Sequence, residues 1–417
     1  MGAAAFQLTD GQEAAYIAFT DFVTNPDQEV FVLTGYAGTG KSTLVKHLLD
    51  TLPATMRTLK LITQQDSTMD IQLTATTNKA AEALSLITGD EVKTVHSFLG
   101  LRPTKNPKTG ATKLVPHGGS EIKENMLIII DEASTIDTNL LELIFDRTVG
   151  CKFVFIGDPA QLTPVKANGT PVFNQGYRTA ALTEVVRQAN GNPIIDLATS
   201  FRDTVNGQPF ISGFVPDGTH IRHCPRKEFE QLICDEFDRP DWKYSDSKVL
   251  AWTNKTVIYY NEEIRNVVVG QPELQIDDYA ISNNFLSNKR CKVSTDQTVL
   301  ITDITPAVDR GVDGWMMEMD EKNTAFMPKT LDARKAKLKE AKADEDWDTI
   351  THIDNNWIDL RASYSCTINK SQGSTYKKVF IDLDDIKKCN NGNLIARMMY
   401  VAVSRASHQV FMTGDLV

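Results

Sequence analysis

"VFVLTGYAGTGKSTL", Val30 to Leu44, decides how the chain is read. A short β-rich apolar run stops at Gly35, a glycine-rich turn follows, and Lys41-Ser42 opens a helical pattern. Gly35-Tyr36-Ala37-Gly38-Thr39-Gly40-Lys41-Ser42 is a complete G-x-x-x-x-G-K-S. Glycines let successive backbone N–H groups curve around a phosphate, and the helix that follows turns its positive end toward it. Lys41 reaches the β- and γ-phosphates, Ser42 offers a hydroxyl to Mg²⁺, and Thr43 stands next in the helix start. The expected cofactors are ATP and Mg²⁺, with Gly35, Gly38, Thr39, Gly40, Lys41, Ser42 and Thr43 around the nucleotide.

Working outward, the same strand pattern recurs. "MLIIIDE" (Met126–Glu132) and "KFVFIGD" (Lys152–Asp158) are buried parallel strands by composition, each stopping at polar residues. In open α/β sheets ligands bind beyond the carboxyl ends of strands, where these polar residues fall. "KVLAWTN" (Lys248–Asn254), "KVFIDLD" (Lys378–Asp384) and "QVFMTGD" (Gln409–Asp415) repeat the pattern in the second half, without a second phosphate loop. The spacing predicts an α/β protein of two parallel-sheet cores, residues 1–190 and residues 191–265 with 362–417.

Two segments fall outside the cores. Within residues 99–118, the Pro-, Gly- and Lys-rich stretch Arg102–His117 predicts a small hairpin turning near Asn106–Gly110. Residues 266–361 carry alternating strands ("QTVLITDIT", "GWMMEMD") and the charged helix "LDARKAKLKEAKADEDW", a β-barrel-like insertion with a helical arm.

Composition bounds the class. At 41% hydrophobic and 24% charged, the 417 residues are those of a globular protein of two or three domains. No apolar run reaches the roughly 18 residues that span a bilayer. "MGAAAF" is neither a secretory signal nor a myristoylation site, since Phe6 stands where Ser or Thr is needed. Six scattered cysteines without a C-x-x-C pair read as free thiols of a reducing cytoplasm, in the host if the source is viral. Net charge of −10 disfavours a protein that coats nucleic acid and allows a narrow basic channel.

The chemistry follows from strand ends. Asp131 would hold Mg²⁺, and Glu132 would orient and deprotonate the attacking water. In "GDPAQLTPV", Gln161 can hydrogen-bond both the γ-phosphate and that water. Arg187 in "LTEVVRQ" and Arg405 in "YVAVSRA" can stabilise charge on the transferring phosphoryl group. An arginine from the second core can do so only if the cores close around the nucleotide, which would make hydrolysis a mechanical stroke.

These motifs, in this order, resemble the superfamily 1 helicases of the RecD-like branch, which has phage members, over both α/β cores. "LTDGQ" resembles that family's adenine-reading motif, implying that Gln12 bonds the base. "TATTNKAA" and "TVHSF" resemble the DNA-contacting motifs of the first core, and "WTNK" and "CTINKSQGST" those of the second. The resemblance implies strand contacts from Thr77, Asn78, His96, Ser97, Phe98, Thr253, Asn254, Lys370 and Ser371, with Gly373 at the nucleotide. The polar residues among these can donate to phosphate oxygens and offer no base-edge code. Phe98, Trp252 and Tyr259 offer rings for stacking, although Trp252 suits a core equally well. Two departures stand out: Asn369 replaces a frequent His, and "TKNPKTGAT" brings no aromatic to the hairpin tip, which favours a charged steric wedge.

The implied function is an ATP-dependent DNA helicase that moves along single-stranded DNA, with 5′→3′ polarity, and unwinds forked duplex. Its partners would be DNA and proteins of replication or recombination, without a membrane. The rival is a recombination or repair protein that grips single strands and uses ATP only as a switch. A third reading, a helicase subunit of a nuclease complex, lacks a separate acidic cluster for cutting.

Overall fold

The computed structural model describes residues 7–63, 69–105, 112–164, 169–184, 186, 191–210 and 214–416. The expected hairpin tip and Arg187 lie outside these residues. The chain forms two compact units: Met1–Ile211 with Gln372–Ser374 and Asn391–Ser404, and Ser212–Ser371 with Thr375–Asn390 and Arg405–Val417.

In the first unit β1 (Val30–Gly35), β2 (Asp70–Ala75) and β3 (Lys93–Thr94) precede an antiparallel hairpin of β4 (Leu101–Lys105) and β5 (Thr112–Pro116). β6 (Met126–Asp131), β7 (Lys152–Gly157) and β8 (Arg178–Leu182) follow. Among the described residues the sheet order is β8-β1-β7-β6-β2-β3, all parallel. The helices of this unit include α1 (Asp10–Thr24), α2 (Lys41–Thr63), α3 (Asn78–Thr88), α4 (Val95–Phe98), α5 (Thr138–Asp146) and α6 (Pro193–Val205).

Period-two alternation makes the sheet two-faced. Phe31, Leu33, Leu127, Ile129, Val154 and Ile156 pack on one side with Phe19 and Phe22 of α1, Leu44 and Leu48 of α2, and Leu84 of α3. Val32, Ile128, Ile130, Phe153 and Phe155 pack on the other with Phe98 of α4 and Leu140, Leu141 and Ile144 of α5. Each such side chain contributes roughly 1.5–3 kcal/mol on full burial. That double burial explains why these strands read as unbroken apolar runs.

In the second unit β9 (Ile221–His223), α7 (Arg226–Phe237), β10 (Ser247–Ala251) and α8 (Asn254–Ile264) begin a further α/β layer. The insertion follows as β11 (Tyr279–Ser282), β12 (Thr298–Asp309), β13 (Val312–Met319), β14 (Asn323–Pro328), α9 (Leu331–Ala343), α10 (Trp347–Asn356) and β15 (Leu360–Ala362). β16 (Ser365–Thr367), β17 (Tyr376–Asp382) and β18 (Ala406–Thr413) complete a parallel sheet of order β9-β18-β17-β10-β16. Its core stacks Phe380 on Phe411 at 4.7 Å, with Phe229 edge-on at 5.8 Å.

The insertion is a separate antiparallel sheet, β14-β13-β12-β11-β15. Arg310 (φ 51°) and Gly311 (φ 75°) form the two-residue turn that its right-handed twist favours. The segment entering β15 returns to the far edge, where Ile358 N donates to Phe326 O at 2.8 Å, so the sheet curls on itself. The predicted single charged helix is two: Glu345 turns at φ 54°, and the Asp346 side chain accepts from Thr349 N to start α10.

Two expected boundaries shift. Residues 193–205, assigned to the second core by sequence, fold with the first unit. They do so because α11 (Gly392–Ser404), which lies between β17 and β18 in the chain, also belongs to the first unit and packs on α6. The insertion clusters with the second core rather than as a unit of its own.

Candidate nucleotide site and strand-facing turns

β1 ends at the phosphate loop, and the loop geometry accounts for its glycines. Gly40 has φ 77°, and a Cβ there would meet Gln12 Nε2 at 2.6 Å, so no side chain fits. Lys41 Nζ donates to Gly35 O at 2.7 Å and Tyr36 O at 3.0 Å, which keeps the ammonium over the loop. Ser42 is half-buried in the first turn of α2. Gln12 is buried: its Nε2 donates to Thr39 O at 3.2 Å while its Oε1 accepts from Thr9 N at 3.2 Å. The expected base-reading amide is thus a strut between α1 and the loop, with one N–H to spare.

Sheet order assembles the rest. β7 lies between β1 and β6, and neighbouring strands are about 4.8 Å apart. That spacing brings the β7 end (Asp158 to Gln161) between the loop and the Asp131-Glu132 pair. Burial pushes the Asp131 carboxyl above the ordinary carboxylate range, opposed by the N–H of Glu132 and by Lys41. Its Oδ1 accepts from Glu132 N at 2.8 Å. Glu132 is left-handed at φ 55°, a conformation that costs a non-glycine roughly 1–2 kcal/mol. Two hydroxyls on its carbonyl, from Thr76 and Thr135 at 3.1 Å each, secure it. Thr76 also donates its N–H to Asp131 O at 3.2 Å, so the acidic pair is bonded to the turn that starts α3. Gln161 is buried, and its Oε1 accepts from Gln372 Nε2 at 3.3 Å.

Four residues that sequence reading passed over join this site. Tyr400 and Arg397 of α11 bond the loop and the Asp158–Gln161 segment. Arg202 of α6 lies over the Tyr36 ring at 4.1 Å, and Asn206 donates to the Tyr36 hydroxyl at 3.3 Å. The signal for Tyr400 was its place in "YVAVSRA", masked by apolar neighbours that make it look like core.

The strand-facing residues divide. Asn78, Ser97 and Asn254 are exposed. Thr77 caps α3 by accepting from Ala80 N at 3.2 Å and keeps a hydroxyl proton to donate. His96 has its pKa lowered by burial, partly offset by Asp137, so it stands neutral at pH 7. Tyr259 is 47% exposed and Trp252 half-buried.

Others are held by contacts within the chain. Phe98 is buried in the first core under the Lys123 ammonium, so its ring serves packing rather than a base. Ser371 is fully buried and donates to Ile368 O at 2.7 Å, so it cannot reach a phosphate. Lys370 pairs with Asp296 of the insertion at 2.7 Å. Gly373 (φ 75°) packs against the start of α3 near Ala80 rather than at the loop glycines. The Thr253 hydroxyl donates to Asp385 Oδ1 at 2.8 Å. Arg405 is buried in the second unit, and its carbonyl accepts from Tyr376 N at 2.8 Å.

A phosphate loop, an acidic pair two strands away in the same sheet and two parallel sheets define a P-loop ATPase with paired RecA-like cores. Residues 7–208 match the AAA domain family, and residues 362–413 match the UvrD-like helicase C-terminal domain family. The chain is 26% identical over 465 residues to the ATP-dependent DNA helicase dda of Enterobacteria phage T4, covering 97% of this chain and 98% of that one. A stretch is 35% identical over 170 residues to the ATP-dependent RecD2 DNA helicase of Deinococcus radiodurans, covering 40% of this chain and 21% of that protein. Pif1 helicase from Bacteroides, solved with ADP-AlF3 and ssDNA, superposes with a TM-score of 0.52 at 16% identity, covering 99% of this chain and 93% of that one. At that identity the likeness speaks for the fold.

The chain resembles the superfamily 1 helicases of the RecD and Pif1 kind. Over almost its whole length it resembles the phage T4 helicase Dda in particular.

Proposed function

We propose that the chain is an ATP-dependent DNA helicase that translocates along single-stranded DNA and opens forked duplex in the 5′→3′ direction. The observation that carries this reading is one continuous set of bonds. Thr76 joins the carbonyls of Asp131 and Glu132 to the turn that opens α3, where Thr77 is half-buried and Asn78 exposed. A change at the acidic pair therefore reaches a strand-facing turn through two hydrogen bonds.

The site residues suit the roles this activity needs. Ser42 and Asp131 would hold Mg²⁺, which supplies charge neutralisation on the phosphates; a cation there would also offset the cost of burying Asp131. Lys41 would take the γ-phosphate, Glu132 and Gln161 the attacking water, and Arg405 and Arg187 the developing charge. Thr77, Asn78, His96, Ser97 and Asn254 would grip the strand by phosphate contacts. Opening one base-pair step costs roughly 1.4 kcal/mol, within reach of a coupled hydrolysis cycle. Proteins of replication or recombination are the natural partners of such an activity.

The test is ATP hydrolysis with and without a single-stranded DNA oligomer, for the wild type, Lys41→Ala and Arg405→Ala. Stimulation in the wild type and loss in both variants is expected. Slow hydrolysis with tight, nucleotide-dependent DNA binding would point to an ATP-switched strand-binding protein. A forked duplex with a single 5′ or 3′ tail, scored for strand release, checks polarity.

A further inference from the structure

We infer that Tyr400 is a positioning residue for the phosphate loop, through which a helix near the end of the chain sets nucleotide affinity. The inference deepens the proposed function and rests on its reading of the loop as the nucleotide site. Tyr400 is 2% exposed, and its hydroxyl accepts from Ala37 N at 2.8 Å. The same hydroxyl lies 2.5 Å from Asp158 Oδ2. The direction of both bonds is fixed chemically: an amide N–H only donates, so the single hydroxyl proton goes to the carboxylate. Asp158 is fully buried and accepts from Ala160 N at 2.9 Å on its other oxygen, so it cannot swing away.

The loop is then fixed at three successive residues. Tyr400 holds Ala37 N, Val186 N holds Gly38 O at 2.9 Å, and Gln12 holds Thr39 O at 3.2 Å. Two of these pins come from the first half of the chain, and Tyr400 alone comes from beyond the insertion. Arg397, one turn earlier in α11, donates to Pro159 O at 2.8 Å and Gln161 O at 2.6 Å, so one helix face grips loop and Gln161 segment together. A loop fixed before the nucleotide arrives loses less entropy on binding. The Tyr400 hydroxyl thereby favours affinity, and its loss leaves a half-buried amide and a buried carboxylate without their partner.

The experiment uses the full chain with Tyr400→Phe, Asp158→Asn and the double variant; phenylalanine keeps the ring that packs in α11. A fluorescent ADP analogue is titrated without DNA, and ATP hydrolysis is measured alongside. Tyr400→Phe should weaken ADP and raise KM for ATP about tenfold, with kcat within about twofold and Tm lower by only a few degrees. The double variant should be no worse than the weaker single one, because both remove the same link. Unchanged ADP affinity in Tyr400→Phe, or losses that add in the double variant, would overturn the inference. Since the ADP titration contains no DNA, a wild type whose hydrolysis ignores DNA would overturn the helicase reading alone.

Discussion

Two strand-to-helix turns, one in each unit, start from the same local plan and end with opposite chemistry. At the phosphate loop, Lys41 bonds only to backbone carbonyls, and the first turn of α2 holds no carboxylate of its own. Where β10 passes into α8, an internal anion is already seated. Asp385 accepts from Trp252 N, Thr253 N, Thr253 Oγ1 and Thr256 Oγ1 at 2.8 Å each, and from Lys388 at 2.9 Å. The first turn is built for a phosphate from outside. In the second, the same kind of donors serve the fold, which is how a second α/β layer manages without a phosphate loop.

The largest effect that could break this contrast is at Lys41. Lys41→Ala should lower hydrolysis by about 100-fold or more with little change in Tm, since its partners are carbonyls that water can satisfy. A large fall in Tm would mean that the first turn is also structural.

Asp385→Ala should do the reverse. It leaves two amides, two hydroxyls and an ammonium without their acceptor, and should cost about 3 kcal/mol in a denaturant titration, with weakened strand binding. Stability within error of wild type would remove the contrast.

The pH dependence sharpens it. Burial raises the Asp385 pKa, but the bonds from Thr253, Lys388 and Thr256 outweigh it, and the net shift is downward from 3.8. A depressed carboxylate stabilises the fold above its unfolded pKa and loses that contribution as pH falls through the folded one. The stability gap between wild type and Asp385→Asn should therefore be full above about pH 4 and narrow below it. A gap that persists at lower pH would show that geometry rather than charge sets the contribution.

Smaller effects concern the strand itself. With Lys370 paired and His96 neutral, the expected strand-contacting residues bring few free charges to phosphates, so log K against log salt should slope by only about three or four. Asp296→Asn releases Lys370 from a half-exposed pair and should tighten single-strand binding about twofold to threefold.

What the sequence made legible follows burial. Strands β1, β6, β7, β10 and β17 announced themselves because both faces are covered, leaving nearly continuous apolar runs. The placement of Lys41, Asp131 and Glu132 at strand ends was legible because the apolar runs before them mark where each strand stops. Asp385 was not, since more than 130 residues separate it from the turn it holds. Ser371 misled in the other direction: a small polar residue in a polar motif gives no hint that its hydroxyl is turned inward. The left-handed Glu132 is likewise invisible, because nothing in a Glu announces φ 55°.

The excursion of α11 has a consequence for how the protein is made. The first unit closes with residues 391–404, so α6 lacks the α11 helix it packs on until the whole insertion has been made. Until then the nascent chain carries an unfinished nucleotide site, and Tyr400 reaches the loop only after the insertion has been made. Domains that fold as contiguous segments can mature in order during translation, but this one is completed by a segment from beyond the insertion. A chain stalled or cut before residue 391 would lack both the α11 cover over α6 and the hydroxyl that fixes Ala37.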